Sequence, residues 1–261
     1  MVGAVAGGAI GLIAPPPFGP LVGGGAGVAL SRAFRVVGNQ VIDRFSAPRE
    51  ATRVGGALAV AAQQIEERLV ALEMLRQDGF FDAIRPDTGR TAAEEVLEGV
   101  LRHAADAYEE KKVRYLGTIY ATAAFDSSYG AAELHLLLKL FDRITYRGLV
   151  LLGIVGTRDY EDRLRDAQVH EIADGNFSID AAYELVAEID ALAAENLIGV
   201  GQEDGSVVNY ASVMNGGTLK KFLERARLTE LGRRLYTACQ LDSISTQERD
   251  ELLVELAGGK P

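Results

Sequence analysis

The chain has 261 residues, 48% of them hydrophobic and 25% charged, with a net charge of −10. That apolar share argues for a globular chain and against disorder over most of its length. The acidic balance argues against a general affinity for nucleic acid, which needs a phosphate-neutralising basic patch, and leaves only a local patch open. The lone Cys239 excludes an internal disulfide and fits a reducing compartment.

The first charged residue is Arg32. Before it, Gly3, Gly7 and Gly11 stand four apart, as do Gly19, Gly23 and Gly27, with Pro15, Pro16 and Pro17 between the two sets. Glycines at i, i+4 and i+8 share one helix face and let two backbones approach closely, an arrangement favoured in lipid. In water, each glycine costs a helix about 1 kcal/mol relative to alanine. The prolines cannot sit inside a helix, so they divide the segment into two arms. Each arm has about 12 residues, whereas a spanning helix needs about 20. Three options follow: a shallow re-entrant or oligomeric insertion, a hairpin buried against the rest of the chain, or a leader that packs on nothing. Arg32 and Arg35 flank the apolar part, as expected where the charged side stays cytoplasmic. No basic region precedes the apolar run, so a secretory signal is not expected.

Residues 29–45 read as a helix, broken by Ser46-Ala47-Pro48. A second helix is predicted from about Arg49 to Arg76. Its apolar face is Val54, Leu58, Ala61, Ile65, Leu69, Leu72 and Leu75, and Asp78-Gly79 stops it. Thr91 and Glu94 form a capping box. The helix that follows is predicted to run to about Phe125, roughly 34 residues or 50 Å at 1.5 Å per residue. Glu109-Glu110-Lys111-Lys112 would be its solvated middle turn. The two long helices are expected to form an antiparallel hairpin, with a stalk or coiled-coil contact as the other reading.

Residues 131–144 form an apolar helix, and Leu149–Val155 is a seven-residue run, too short to span a membrane. Residues 159–170 are polar. Ser178 caps a helix over 181–195. The stretches 197–200 and 207–210 then flank a Gly201–Gly205 turn as a short hairpin. Arg227-Leu228-Thr229 opens another helix with Thr229 as its cap. A capping box, Ser245 to Glu248, starts the last one.

From Ala131 on, the order is helix, helix, helix, hairpin, helix. Residues 189–198 look like a recognition-position helix running into a wing. Leu228-Thr229-Glu230-Leu231-Gly232-Arg233-Arg234 is similar to the turn that follows the wing in many winged-helix proteins. The helix over 181–195 carries Glu184, Glu188, Asp190 and Glu195 and no Lys or Arg, which would repel a duplex. Lys220, Lys221, Arg225 and Arg227 form a candidate basic contact, read first as a solvated face interleaved with Glu224 and Glu230. The module is therefore expected to hold a protein rather than DNA. The stretch Leu228 to Cys239 also resembles the C-terminal end of the abortive-infection alpha (Abi-alpha) family of bacterial proteins. That resemblance implies a role in defence against phage and carries no catalytic residues.

His103, His135 and His170 lie far apart in sequence and away from Cys239. No zinc spacing, nucleophile elbow or phosphate loop is present. Glu66-Glu67 and Glu94-Glu95 read as solvent-facing carboxylates. No catalytic residue, metal or cofactor is expected.

The predicted fold is mainly α. Residues 1–34 form a glycine-rich hairpin, 35–126 a long helical hairpin, 127–240 a winged-helix-like α+β domain, and 241–261 a final helix and tail. The expected function is a membrane-associating, self-assembling, non-enzymatic protein at the cytoplasmic face of the membrane, with phage defence as its concrete version. The alternative is a cytoplasmic winged-helix regulator or scaffold that binds a protein partner or, less favoured, DNA. No small-molecule substrate is expected.

Overall fold

The computed structural model describes residues 25–42, 47–157, 179–201, 207–208 and 226–256. The described elements are mainly helical. Two compact units divide the chain, Met1–Asp142 and Arg143–Pro261.

In the first unit, helix α1 (Gly25–Ile42) buries Leu30, Ala33, Phe34 and Val37 at three- and four-residue steps. Helix α2 (Pro48–Val70) starts with a proline in its first turn, where a missing N–H is harmless, and buries Val54, Ala57, Leu58, Ala61, Ile65 and Leu69. It ends at Val70, not at Arg76 as the periodicity predicts: Leu72 turns into the left-handed region at φ 64 and is exposed, while Leu75 is buried in the loop beyond.

Helix α3 (Ala92–Asp106) begins at the predicted capping box. The Glu94 amide donates to Thr91 Oγ1 at 3.2 Å, and the Thr91 amide donates to Glu94 Oε2 at 3.0 Å. Glu94 is therefore buried rather than solvent-facing. The single long helix to Phe125 is corrected as well. Ala107 is extended (φ −63, ψ 122), a 3-10 turn covers Glu110–Lys112, and helix α4 is Val113–Phe125. The break lets two short helices, α3 and α4, both pack against α2. Lys112, expected in solvent, is buried. Its Nζ donates to the Phe141 carbonyl at 2.8 Å, near the end of helix α5 (Ala131–Arg143).

The α2–α4 contact is very close. A Cβ at Gly117 would meet the Ala57 carbonyl oxygen at 2.5 Å and Val60 Cβ at 2.9 Å, so only glycine fits there. Arg76 ties the loop after α2 to the end of α4. Its Nη1 donates to the carbonyls of Ala123, Asp126 and Tyr129 at 3.1, 3.1 and 2.9 Å. The same guanidinium pairs with Asp78 and lies over the Phe80 ring.

In the second unit, helix α6 (Tyr146–Thr157) is buried on every side from Gly148 to Val155 and forms its centre. Around it pack helix α7 (Ile179–Ala194), helix α8 (Glu230–Cys239) with the 3-10 turn Leu241–Ser243, and helix α9 (Thr246–Leu256). Strands β1 (Ile198–Gly201), β2 (Val207–Val208) and β3 (Ala226–Leu228) form an antiparallel sheet in the order β2-β1-β3. The hairpin is present, with Val200 opposite Val208. The helix predicted from Arg227 is corrected: residues 226–228 are strand, with Leu228 opposite Ile198, and the helix begins after Thr229.

Candidate functional site

Three surfaces bear on function. The first is the end of the glycine-rich segment. Gly3, Gly7, Gly11, Pro15, Pro16, Pro17, Gly19 and Gly23 lie outside the described residues. Gly27 lies in α1 and is buried. Next to it, α1 is docked into the first unit. The Phe34 ring meets Tyr120 edge-on at 5.7 Å, and Leu30, Ala33 and Val37 are buried with it. Arg32 and Arg35 are on the exposed side, with Arg32 Nε 3.8 Å from Glu94 Oε1. Beneath them the Tyr120 hydroxyl is fully buried and has no hydrogen-bond partner among the described residues. Burial first, and then the Glu94 carboxylate, drive its pKa far above the ordinary phenol value.

The second surface surrounds the wing base. Thr229 closes α8, its Oγ1 accepting from the Gly232 amide at 3.0 Å. The same hydroxyl donates to the Asn196 carbonyl at 2.6 Å, and the Thr229 amide donates to the Leu197 carbonyl at 3.1 Å. Asn196 itself turns the chain out of α7 at φ 55. The Leu-Thr-x-x-Gly stretch is thus a clasp between the end of α7 and the start of α8.

Glu184 and Glu188 of α7, and Glu195 just beyond it, engage residues at and before the start of α6, while Asp190 is exposed. Glu184 pairs with Arg147 at 2.8 Å, Glu188 accepts from Thr145 Oγ1 at 2.7 Å, and Glu195 pairs with Arg143 at 3.1 Å. Of the candidate basic contact, Lys220, Lys221 and Arg225 lie outside the described residues. Arg227 stands on β3, where its Nη1 donates to the Ala226 carbonyl at 2.7 Å.

The third surface was missed by the sequence reading. Val70, Leu72 and Met74 are exposed by 65%, 88% and 81% at and just past the end of α2. Leu72 continues the apolar period of α2 and so reads as more of its buried face, whereas Val70 and Met74 stand off that face. The available signal was the absence of any glycine where that helix must stop.

His170 lies outside the described residues. His103 Nδ1 pairs with Asp142 across α3 and α5, His135 lies beside Gly99, and Cys239 is fully buried in the second unit. Among the described residues no three His, Cys, Asp or Glu side chains gather to hold a metal. No described helix is long and apolar enough to cross a membrane. No family model, curated protein or solved structure matches the chain.

Proposed function

We propose that this chain is a non-enzymatic helical protein that associates with a membrane and self-assembles through its glycine-rich N-terminal segment. The observation that supports this reading is the way α1 joins that segment to the body. Leu30, Ala33, Phe34 and Val37 anchor the helix in the first unit, while Arg32 and Arg35 stay on its exposed side. An uncharged segment rooted in this manner, with arginines at its base, suits insertion from the cytoplasmic face. The resemblance of Leu228–Cys239 to Abi-alpha proteins favours a role in bacterial phage defence.

The test is fractionation of the full chain and of a chain lacking residues 2–24, followed by a carbonate wash. The cut ends before Gly25 because α1 begins there. Full chain in the washed membrane and truncated chain in the supernatant is the expected result. Both in the supernatant overturns it.

A second reading has its own support. Helix α7 followed by a β1–β3 pair and a Thr-capped α8 has the order of a winged helix. Helix α7 carries no Lys or Arg, and its Glu184 and Glu188 sit on Arg147 and Thr145, so it brings no cation to a duplex. A protein-binding scaffold fits this chemistry better than a DNA reader. DNA binding that falls steeply with salt and is lost on charge reversal of Lys220, Lys221, Arg225 and Arg227 would replace it.

A further inference from the structure

We propose that the loop just past α2 is a docking finger for a protein partner, one that offers an apolar cleft edged by Lys and Arg. This inference does not rest on the membrane reading.

The helix end is a Schellman motif. The Leu72 amide donates to the Leu69 carbonyl, and the Glu73 amide donates to the Arg68 carbonyl, both at 3.0 Å. The residue in the left-handed position of this motif is by default glycine, which has no Cβ to clash. Here it is Leu72, at φ 64. Leucine is unfavourable there on two counts: its backbone is strained, and its side chain is 88% exposed. Val70 and Met74, two residues to either side, are exposed as well. Stability of the folded chain explains none of the three.

The finger is also held firmly. Arg68 pairs with Glu73 at 2.6 Å and lies over the Phe125 ring at 4.0 Å. The Arg76 amide donates to the Ala124 carbonyl at 3.1 Å, and Leu75 is buried. Apolar side chains on a braced turn lose little freedom on binding, which favours their use as anchors.

Charge selects the occupant. Glu66 and Glu67 are exposed around the finger, while the two cations there, Arg68 and Arg76, are paired with Glu73 and Asp78. The C-terminal ends of α2 and α4 meet here, held by Arg76, and both are negative dipole ends. This rim repels an anionic lipid surface and nucleic acid phosphate. A second copy meeting finger to finger would set Glu66 and Glu67 against their own counterparts and is disfavoured. A protein cleft with a cationic edge complements both the apolar tip and its acidic rim.

The experiment places a benzophenone amino acid at Met74 of the full chain, in cells that naturally carry it. Adducts are formed by light and mapped by mass spectrometry. The same is done in Leu72→Gly and Glu66→Lys/Glu67→Lys backgrounds. Expected is one adduct on an apolar cleft flanked by Lys or Arg, with its yield falling about tenfold in each background. Purified Leu72→Gly should meanwhile unfold about 2–4 °C higher, because glycine relieves the left-handed strain. The proposal is overturned by no adduct, by an adduct only to lipid or to another copy, or by yields that ignore both substitutions. A lower unfolding temperature for Leu72→Gly also overturns it, since Leu72 would then be structural.

Discussion

Gly232 lies directly against the carbonyl of Leu197: a Cβ built on it would stand 1.8 Å from that oxygen. The contact closes the clasp in which Thr229 caps α8 and holds the end of α7. Gly232→Ala must push the two segments apart, and overpacking of this kind costs about 3 kcal/mol or more. Thr229→Ala should cost about 1 kcal/mol as a lost cap, while Thr229→Ser, which keeps the hydroxyl, should recover most of it. Denaturant midpoints of the three variants check this order. A Gly232→Ala protein as stable as the parent would show that the clasp is not close-packed.

Arg76 gathers four backbone carbonyls, of Ala123, Asp126, Ser127 and Tyr129, and the Asp78 carboxylate from a buried position. Arg76→Ala leaves those acceptors without their donor. The expected loss is about 3 kcal/mol, and Arg76→Lys should restore only part of it because one ammonium cannot reach the same fork of acceptors. Thermal unfolding of the first unit, followed by tyrosine near-ultraviolet dichroism, is the readout.

The Tyr120 hydroxyl gains no hydrogen bond among the described residues. Tyr120→Phe removes a buried unsatisfied group and keeps the ring against Phe34. It should leave stability unchanged or raise it by about 1 kcal/mol. Phe34→Ala, by contrast, empties a core position and should lose about 3–4 kcal/mol. A loss of similar size in Tyr120→Phe would mean that the hydroxyl is bonded in solution.

Acid should weaken the first unit in two stages. Burial disfavours charged His135 and lowers its pKa; Glu95 opposes this, and Lys139, Arg85 and His103 add to it. The folded form therefore binds the proton less readily than the unfolded chain. This contribution is complete above about pH 6.5 and is lost as pH falls through the lowered value. Asp78 is held low by its hydrogen bond from Arg76, against a smaller opposing effect of burial. Burial pushes Glu98 up, but Arg90 and Arg102 together outweigh it and hold it low. Their contribution is complete above the ordinary carboxylate range, about pH 4, and is lost as pH falls through their lowered values. Unfolding midpoints from pH 8 to 3 should show both stages. His135→Gln should flatten the upper one and Glu98→Gln part of the lower. An unchanged upper stage in His135→Gln would assign it to another group.

Local signals were legible in the sequence. The Thr91–Glu94 and Ser245–Glu248 boxes and the Thr229 cap all involve residues three apart, and the structure has each, while the helical periods overran the helix ends at Val70 and Asp106. The candidate sites were less legible. Arg32 and Arg35 stand exposed at the base of the glycine-rich segment, but the burial of Leu30, Phe34 and Val37 needs partners on other helices. The finger was hidden because Leu72, in phase with the helix, looks like core.

The sequence by itself determined a mainly helical chain, the capped starts of α3, α8 and α9 and the β1–β2 hairpin, because those depend on neighbours along the chain; the expected Ser178 cap lies outside the described residues. Only the tertiary structure decided where helices stop and which residues are buried. Lys112 turns inward to serve the Phe141 carbonyl, and α3 ends at Asp106 so that α4 can also reach α2. Residues 226–228 become a strand because Ile198 and its neighbours offer a free edge about 30 residues upstream, where pairing satisfies backbone groups that local sequence would have left to a helix.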